Sequence, residues 1–253
     1  MFFADSVFVG VDPTSSHKSY TFAALDKGLN LVALADGELD DVAAFLGGQQ
    51  SVVVAVNAPA GVNRGLVREK LKKAMLTPHQ IRAAEYRLAE HELRERGIAV
   101  TGTPAKEALS PGWMQSGFAL YRKLNKLGFR KYPAENAPHQ ILETHPHACF
   151  CVLAGDVPLP KLSLEGKLQR QLLLYERGVR ISDPMEFFEE ITRYRVMKGA
   201  WALELLYLPE QLDALVAAYT AWLASNKPDH TSFVGDQKEG IIILPEASLK
   251  EKY

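Results

Sequence analysis

The chain has 253 residues, of which 47% are hydrophobic and 23% are charged, and its formal net charge is -1 at pH 7. This composition is typical of a globular protein with a sizeable core, and the near-neutral balance excludes an overall basic field that would attract nucleic acid. No apolar run approaches the about 18 residues that a membrane span needs. The two cysteines do not suggest a disulfide framework, and the first residues lack the basic character of a signal peptide. We therefore expect a single domain over residues 1–253, cytoplasmic and without a membrane partner.

The first strong element is a short buried strand that ends at an acidic residue. Residues 7–11 (VFVGV) form an apolar run rich in β-branched side chains, which predicts a strand covered on both faces. Asp12 follows it, and then come three hydroxyl residues, Thr14, Ser15 and Ser16. Open α/β sheets bind ligands beyond the carboxyl ends of their strands, so Asp12 is placed to hold a metal or face a phosphate. The alternative is a turn in which Asp12 bonds its own backbone.

The next segments predict a meander and a crossover. Strands are expected over 18–26 and 29–35, a helix over 38–46, and a second buried strand over 51–56. A strand that follows a helix in this way lies parallel to the first strand by a right-handed crossover. If the two strands are neighbours, Asn57 emerges at the same sheet edge as Asp12.

Residues 65–128 are mostly helical in pattern and rich in charge, and we interpret them as a helical insertion. Within them, the helix that carries Arg87 and Glu90 is typical of a solvated face with ion pairs four residues apart. A lid, a phosphate-contacting arm or a dimer surface is the alternative, which leaves a homodimer open. Residues 101–117 predict a loop in which Trp113 and Met114 are exposed.

The second half of the chain adds another strand with an acid near its end and an acid at the start of a late helix. Glu143 lies near the end of a strand expected over 140–144, and Asp213 lies in the first turn of an apolar helix over 212–223. Helices are also expected over 164–177 and 183–206, and a last strand over 240–245 after a loop. If the strand over 140–144 continued, Glu143, His145 and His147 would share one face and suit a transition metal, but Pro146 argues against this.

Three acids therefore lie at the ends of predicted elements: Asp12 after a strand, Glu143 near the end of a strand, and Asp213 at the start of a helix. Asn57 occupies the corresponding position after its own strand. Carboxylates gathered at one place repel each other unless a cation neutralises them. Mg²⁺ or Mn²⁺ takes oxygen ligands of this kind, and in two-metal sites such ions activate water for phosphodiester cleavage. The alternatives are a helix N-terminal acid at Asp213, favoured by the helix dipole, and a solvated strand residue at Glu143.

The order of the elements is that of a ribonuclease-H-like α/β fold, with a three-strand antiparallel meander, parallel strands and flanking helices. Several segments also resemble one family, the DUF429 family of predicted ribonuclease-H-like nucleases. They are GVDPTSS at 10–16, VNAPAGV at 56–62, RLAEHELRERGI at 87–98, ILETHPHA at 141–148, DALVAAYTAWL at 213–223 and GDQKEGIIILP at 235–245.

This resemblance implies that Asp12, Glu143 and Asp213 bind a metal and that Arg87 and Glu90 are polar site residues. Ser15, in the hydroxyl run beside Asp12, is a further candidate for substrate binding. The family pattern looks like Asp-x-Pro where this chain has Asn57-Ala58-Pro59. An amide oxygen can bind a metal, but it brings no charge and cannot act as a base, so Asn57 is expected to orient substrate.

The sequence thus predicts a metal-dependent nuclease or phosphodiesterase that acts on a nucleic acid or a nucleotide. One alternative is an actin-like phosphotransferase that binds ATP, since the hydroxyl run after Asp12 resembles a phosphate loop. The other is a non-catalytic scaffold that retains the fold and has lost a metal ligand. Basic candidates for phosphate contacts fall into two groups, Arg64, Arg68, Lys70, Lys72 and Lys73, and separately Arg122, Lys123, Lys126, Arg130 and Lys131.

Overall fold

A computed structural model describes residues 6–13, 20–71 and 85–253. The strands of this part are β1 (Val7–Pro13), β2 (Tyr20–Leu25), β3 (Leu31–Gly37), β4 (Val52–Val56), β5 (Arg130–Lys131), β6 (His139–Glu143), β7 (Ser232–Asp236) and β8 (Gly240–Leu244). The helices are α1 (Leu39–Gly47), α2 (Leu66–Leu71), α3 (Leu88–Glu95), α4 (Gly112–Lys126), α5 (Pro146–Ala154), α6 (Leu164–Glu176), α7 (Glu186–Glu189), α8 (Arg193–Lys198) and α9 (Pro209–Asn226). Short 3-10 helices lie at Glu107–Leu109, Leu203–Leu205 and Pro228–His230.

The strands form one mixed sheet in the order β3-β2-β1-β4-β6-β8-β7, and β5 also pairs with β6. β1, β2 and β3 are an antiparallel meander, whereas β4, β6 and β8 continue from β1 in parallel. β4 lies parallel to β1, as the crossover predicts, and is also its direct neighbour, which is the condition for Asn57 and Asp12 to emerge at one sheet edge. The sheet is the mixed α/β sheet expected of a ribonuclease-H-like fold, and this prediction is confirmed.

Helices cover both faces of the sheet. Side chains alternate along each strand, so each strand contributes residues to the packing on both faces. Val9 and Val11 of β1 pack with Leu46 of α1 and Leu120 of α4 on one face. Phe8, one residue out of phase, packs with small residues of α9 on the other face. The core therefore lies in two layers, one on each side of the sheet.

The closest approach between layers is at Gly10, where α9 crosses β1. A Cβ atom on Gly10 would lie 1.9 Å from the carbonyl oxygen of Ala214 and 2.4 Å from the amide nitrogen of Ala218. Only a glycine in the strand and small residues in the helix permit this contact. As a result, the N-terminal half of α9, with Asp213, is held at the carboxyl end of β1.

Three local predictions differ from the structure. The helix expected over 183–206 is broken into α7, α8 and a 3-10 turn, because Thr192 caps a new helix and Gly199 ends it at a φ of +62°. Residues 232–236 form β7. No strand was predicted here, and residues 234–236 belong to the loop expected before the last strand. α4 begins at Gly112, directly after Pro111, so Met114 is buried rather than exposed and Trp113 is half-buried.

The predicted helical segment over 65–128 holds α2, α3 and α4, while residues 72–84 of it lie outside the described part. Its status as an insertion stays a prediction. Across the part of the chain that the structure describes, none of the helices combines the length and the apolar character that crossing a membrane requires.

Candidate functional site

A cleft of about 620 Å³ opens at the carboxyl ends of β1 and β4. This is the edge at which open α/β sheets bind ligands. Its polar lining comes from distant parts of the chain: Asp12, Asn57, His145, His147, Lys161, Arg170, Glu210 and Asp213. Trp113 adds an aromatic wall.

Asp12 and Asp213 are the two buried carboxylates of the cleft. Asp12 is the last residue but one of β1 and lies on the same face of the strand as Gly10. Asp213 is next to Ala214, which contacts Gly10, so the packing of α9 on β1 brings the two acids together. Their exposed fractions are 8% and 5%. Burial, together with the charge of Asp213, raises the pKa of Asp12 to about 7. Burial also raises the pKa of Asp213, against the opposing effect of Lys161.

Asn57 follows β4 and supports Asp12. Its Nδ2 donates a hydrogen bond to Asp12 Oδ1 at 2.6 Å, and its backbone nitrogen donates to Val11 at 2.9 Å. The predicted meeting of Asn57 and Asp12 at one sheet edge is therefore observed. In this arrangement the amide group stabilises the charged form of Asp12 and adds no negative charge of its own.

Lys161 places a cation against the acid pair. Its Nζ lies 2.6 Å from Asp213 Oδ2, and the side chain of Lys161 is about half-exposed. Arg170 holds the loop that carries this lysine, because its Nη1 donates to Leu159 at 2.7 Å and to Gly166 at 2.9 Å. Neither basic residue was singled out from the sequence, since a loop lysine and a helical arginine carry no periodic signal.

His145 and His147 also line the cleft, and the charges of Arg170 and Lys161 act on His147. α5 begins at Pro146, so Glu143, His145 and His147 do not share one face of a strand, as Pro146 indicated. His145 instead caps α5, since its Nδ1 accepts a hydrogen bond from the amide of Ala148 at 3.2 Å. Burial, with His147, lowers the pKa of His145 to about 4, and burial also lowers the pKa of His147. Both imidazoles are therefore neutral at pH 7.

Glu143 lies at the end of β6, as predicted, but its carboxylate belongs to a second cluster. Arg87 Nη2 donates to Glu143 Oε1 at 2.5 Å, and Arg87 Nη1 donates to Oε2 at 3.1 Å. The backbone nitrogen of Ala60 also donates to Oε2, at 2.8 Å. Both oxygens of Glu143 are thus engaged by hydrogen bonds.

Arg87 and Glu90 complete this second cluster in the interior. Arg87 Nε donates to Glu90 Oε1 at 2.7 Å, and the amide of Thr103 donates to Glu90 Oε2 at 3.0 Å. Arg87 is 2% exposed and Glu90 is 3% exposed, so the interpretation of this helix as a solvated face is wrong for these two residues. Glu239 joins the cluster, because its side chain accepts hydrogen bonds from the backbone nitrogens of Arg64, Leu66 and Leu88.

The structure therefore divides the predicted site residues into two sets. Asp12, Asn57 and Asp213 line the cleft, while Arg87, Glu90 and Glu143 form a buried network behind it. A void of about 20 Å³ borders both sets. Ser15, together with Thr14, Ser16, Lys72 and Lys73, lies outside the described residues.

The donor set of the cleft fits one hard divalent cation. Asp12 Oδ2 and Asp213 Oδ1 accept no hydrogen bond from another described residue, whereas the second oxygen of each acid is engaged by Asn57 or Lys161. Mg²⁺ is commonly bound through one or two carboxylates, with water and substrate phosphate as the other ligands. No group of three or more His, Cys, Asp or Glu side chains within residues 6–13, 20–71 and 85–253 is arranged to hold a metal ion. The described part of the cleft therefore offers two carboxylates, Asp12 and Asp213, which is fewer than the three side chains of such a group.

The chain was compared with known proteins. A family model described as "Protein of unknown function (DUF429)" matches residues 10–239, a range that includes all the cleft and network residues named above. No curated protein and no solved structure matches the chain. The chain belongs to the DUF429 family.

Proposed function

We propose that this protein is a metal-dependent phosphodiester hydrolase with Asp12 and Asp213 at its centre. The observation that carries the proposal is the meeting of these two buried carboxylates in an open cleft at the carboxyl ends of β1 and β4. Burying two like charges side by side is costly unless a cation is bound between them or one of the acids is protonated. Lys161 neutralises part of that charge from one side only.

Asp12 and Asp213 would hold Mg²⁺ or Mn²⁺, with the amide oxygen of Asn57 as a neutral donor. A bound ion would polarise a phosphoryl oxygen and lower the pKa of a bound water. Glu143, predicted as a third ligand, is given a positioning role instead, since its oxygens are engaged by Arg87 and Ala60. It fixes the end of β6 beside β4.

The remaining cleft residues supply groups that suit a phosphodiester. The ammonium of Lys161 is half-exposed and can leave Asp213 for a phosphate oxygen. His147 is neutral, so it can accept a proton, and Trp113 offers an aromatic surface to a base. Together they favour a nucleic acid or a nucleotide as substrate.

The proposal is tested by hydrolysis of bis-p-nitrophenyl phosphate and of short single-stranded oligonucleotides with Mn²⁺. We expect cleavage by wild type and its loss in Asp12→Asn and Asp213→Asn. Asp229→Asn, a change at an exposed residue remote from the cleft lining, is the matched control and should cleave normally.

Other results would favour the alternatives. Binding of ATP with Mg²⁺ but no cleavage of any diester would favour the actin-like phosphotransferase. Cleavage that persists unchanged in both Asn variants would overturn the assignment of the centre. A wild type that neither binds Mn²⁺ nor cleaves a diester would favour the scaffold.

A further inference from the structure

A second and larger cavity, of about 730 Å³, lies on the far side of the Arg87–Glu143 network. It forms where two strands diverge from the same edge of β6. β5 pairs with residues Gln140 and Ile141, whereas β8 meets β6 only at Glu143. The fork between β5 and β8 leaves an opening of the size that small-molecule sites have.

Three basic side chains line this cavity: Arg64, Lys131 and Lys238. All three are exposed, and none forms an ion pair with a residue of the described part of the chain. Arg64 and Lys131 come from the two separate basic groups of the sequence, and the fold brings them to one place. By contrast, Arg122 and Lys123 of the second group are paired with Glu107 and Asp40.

The acids that line the cavity form no ion pair with these cations. Glu143 is engaged by Arg87, and the carboxylate of Glu239 accepts hydrogen bonds from three backbone nitrogens. Both acids are buried, at 4% and 2% exposure. The opening therefore presents positive charge to solvent.

Apart from the amides of Asn125 and Gln237, most of the remaining side chains of the lining are aromatic or aliphatic. Phe233 of β7 lies at the cavity with 49% of its surface exposed, although it is a large apolar side chain. Tyr132, which directly follows β5, also lines the cavity, and its hydroxyl donates a hydrogen bond to the carbonyl oxygen of Ala224 at 2.6 Å. Ile241 adds an aliphatic surface. Unpaired cations beside exposed aromatic side chains are the combination that binds phosphate and base together.

From this combination we infer that the cavity between β5 and β8 is a binding site for a nucleoside phosphate. The cations bind the phosphate, and Phe233 and Tyr132 contact the base. The site shares no acid with the Asp12–Asp213 cleft and needs no metal ion from it. The proposed binding can therefore be confirmed or refuted independently of the proposed hydrolysis.

The test is calorimetric titration of the full chain with AMP, adenosine and inorganic phosphate, in a buffer that contains EDTA. AMP should bind more tightly than either fragment, and its affinity should fall as NaCl rises. The double variant Lys131→Ala/Lys238→Ala should weaken AMP binding by about tenfold or more. Phe233→Ala should weaken AMP and adenosine but not phosphate.

Two controls separate this site from its surroundings. Arg130→Ala removes the neighbouring cation of β5, which does not line the cavity, and should leave AMP binding unchanged. Lys161→Met should also leave it unchanged, because Lys161 lines the other cleft. Absence of AMP binding, adenosine binding as tight as AMP binding, or an undiminished affinity in the double variant would overturn the inference. A loss of binding in Lys161→Met would assign the ligand to the cleft instead and overturn the inference.

Discussion

Gly10 of β1 lies against the backbone of Ala214 in α9, so closely that a Cβ atom on Gly10 would be 1.9 Å from the carbonyl oxygen of Ala214. This contact sets the position of α9 on the sheet and, through it, the position of Asp213 beside Asp12. The packing of a strand glycine thus has a direct consequence for the chemistry of the cleft.

The first prediction concerns this contact. Gly10→Ala should lower the free energy of unfolding by about 3 kcal/mol, because the neighbour that must move is helix backbone and not a flexible side chain. Gly47→Ala is the matched control, since its Cβ would meet only Leu127 Cδ1 at 3.8 Å. The control should stay within about 1 kcal/mol of wild type in urea unfolding. Equal effects of the two changes would contradict the close packing.

The second prediction concerns the buried network. Arg87→Met should destabilise the fold by about 3–5 kcal/mol, because it leaves Glu90 and Glu143 buried without their cation. Arg130→Met, on the exposed surface of β5, should change stability by less than about 0.5 kcal/mol. Urea unfolding of both variants makes the comparison. A marginal effect of Arg87→Met would show that Glu143 has other partners in solution.

The third prediction is a pH dependence at Asp12. The pKa of this group is raised from 3.8 to about 7 in the fold, so the folded state binds more protons than the unfolded chain between these values. The contribution of Asp12 to stability therefore falls as pH rises from about 4 to about 7, by up to about 1.4 kcal/mol for each unit of pKa shift.

Unfolding of wild type and Asp12→Asn across this pH range tests the sign. The Asn variant should gain stability relative to wild type as pH rises. A constant difference between the two proteins would mean that the pKa of Asp12 is not raised. Mn²⁺ affinity of wild type should rise over the same range, because the metal must displace the proton of Asp12.

The fourth prediction concerns Asn57. Asn57→Asp places a third carboxylate beside Asp12 and should raise Mn²⁺ affinity by about tenfold, since affinity for hard cations follows the charge of the ligands. Without metal the variant should be less stable than wild type, because the hydrogen bond from Nδ2 to Asp12 is replaced by repulsion. Unchanged Mn²⁺ affinity would remove this position from the site.

The fifth prediction concerns Lys161. Lys161→Met removes a cation that competes for Asp213, so Mn²⁺ should bind about twofold to fivefold more tightly, as suits a half-exposed ion pair. Diester cleavage should nevertheless fall, because a phosphate-contacting group is lost. Lys167→Met, a lysine of α6 that does not line the cleft, is the control. Weaker Mn²⁺ binding in Lys161→Met would contradict the assigned role.

The sequence predicted the elements whose residue pattern is clear within a short segment and whose order in the chain restricts their pairing. The apolar runs of β1 and β4 predicted two buried parallel strands, and the observed adjacency of these strands brings Asp12 and Asn57 together. The small residues of α9, among them Ala214, Ala217 and Ala218, permit the close contact with Gly10. The metal-binding and catalytic roles of these residues stay predictions.

The rest depended on contacts between residues far apart in the chain. Arg87 pairs with Glu143 across the fold, and no local pattern distinguishes such a buried arginine from its solvated neighbours on a charged helix. Lys161 reaches Asp213 from a loop between α5 and α6, whose course is set by Arg170. β7 is short and contains a glycine at a φ of +105°, so its pattern is that of a loop.

The most direct test of the proposed centre is calorimetric titration of Mn²⁺ into wild type and into Asp12→Ala, each with a non-hydrolysable phosphorothioate dinucleotide present to complete the site. We predict saturable binding to wild type, close to one ion per chain, and its loss in the variant. Equal Mn²⁺ binding by the two proteins, or no binding by wild type under these conditions, would contradict a metal centre at Asp12 and Asp213.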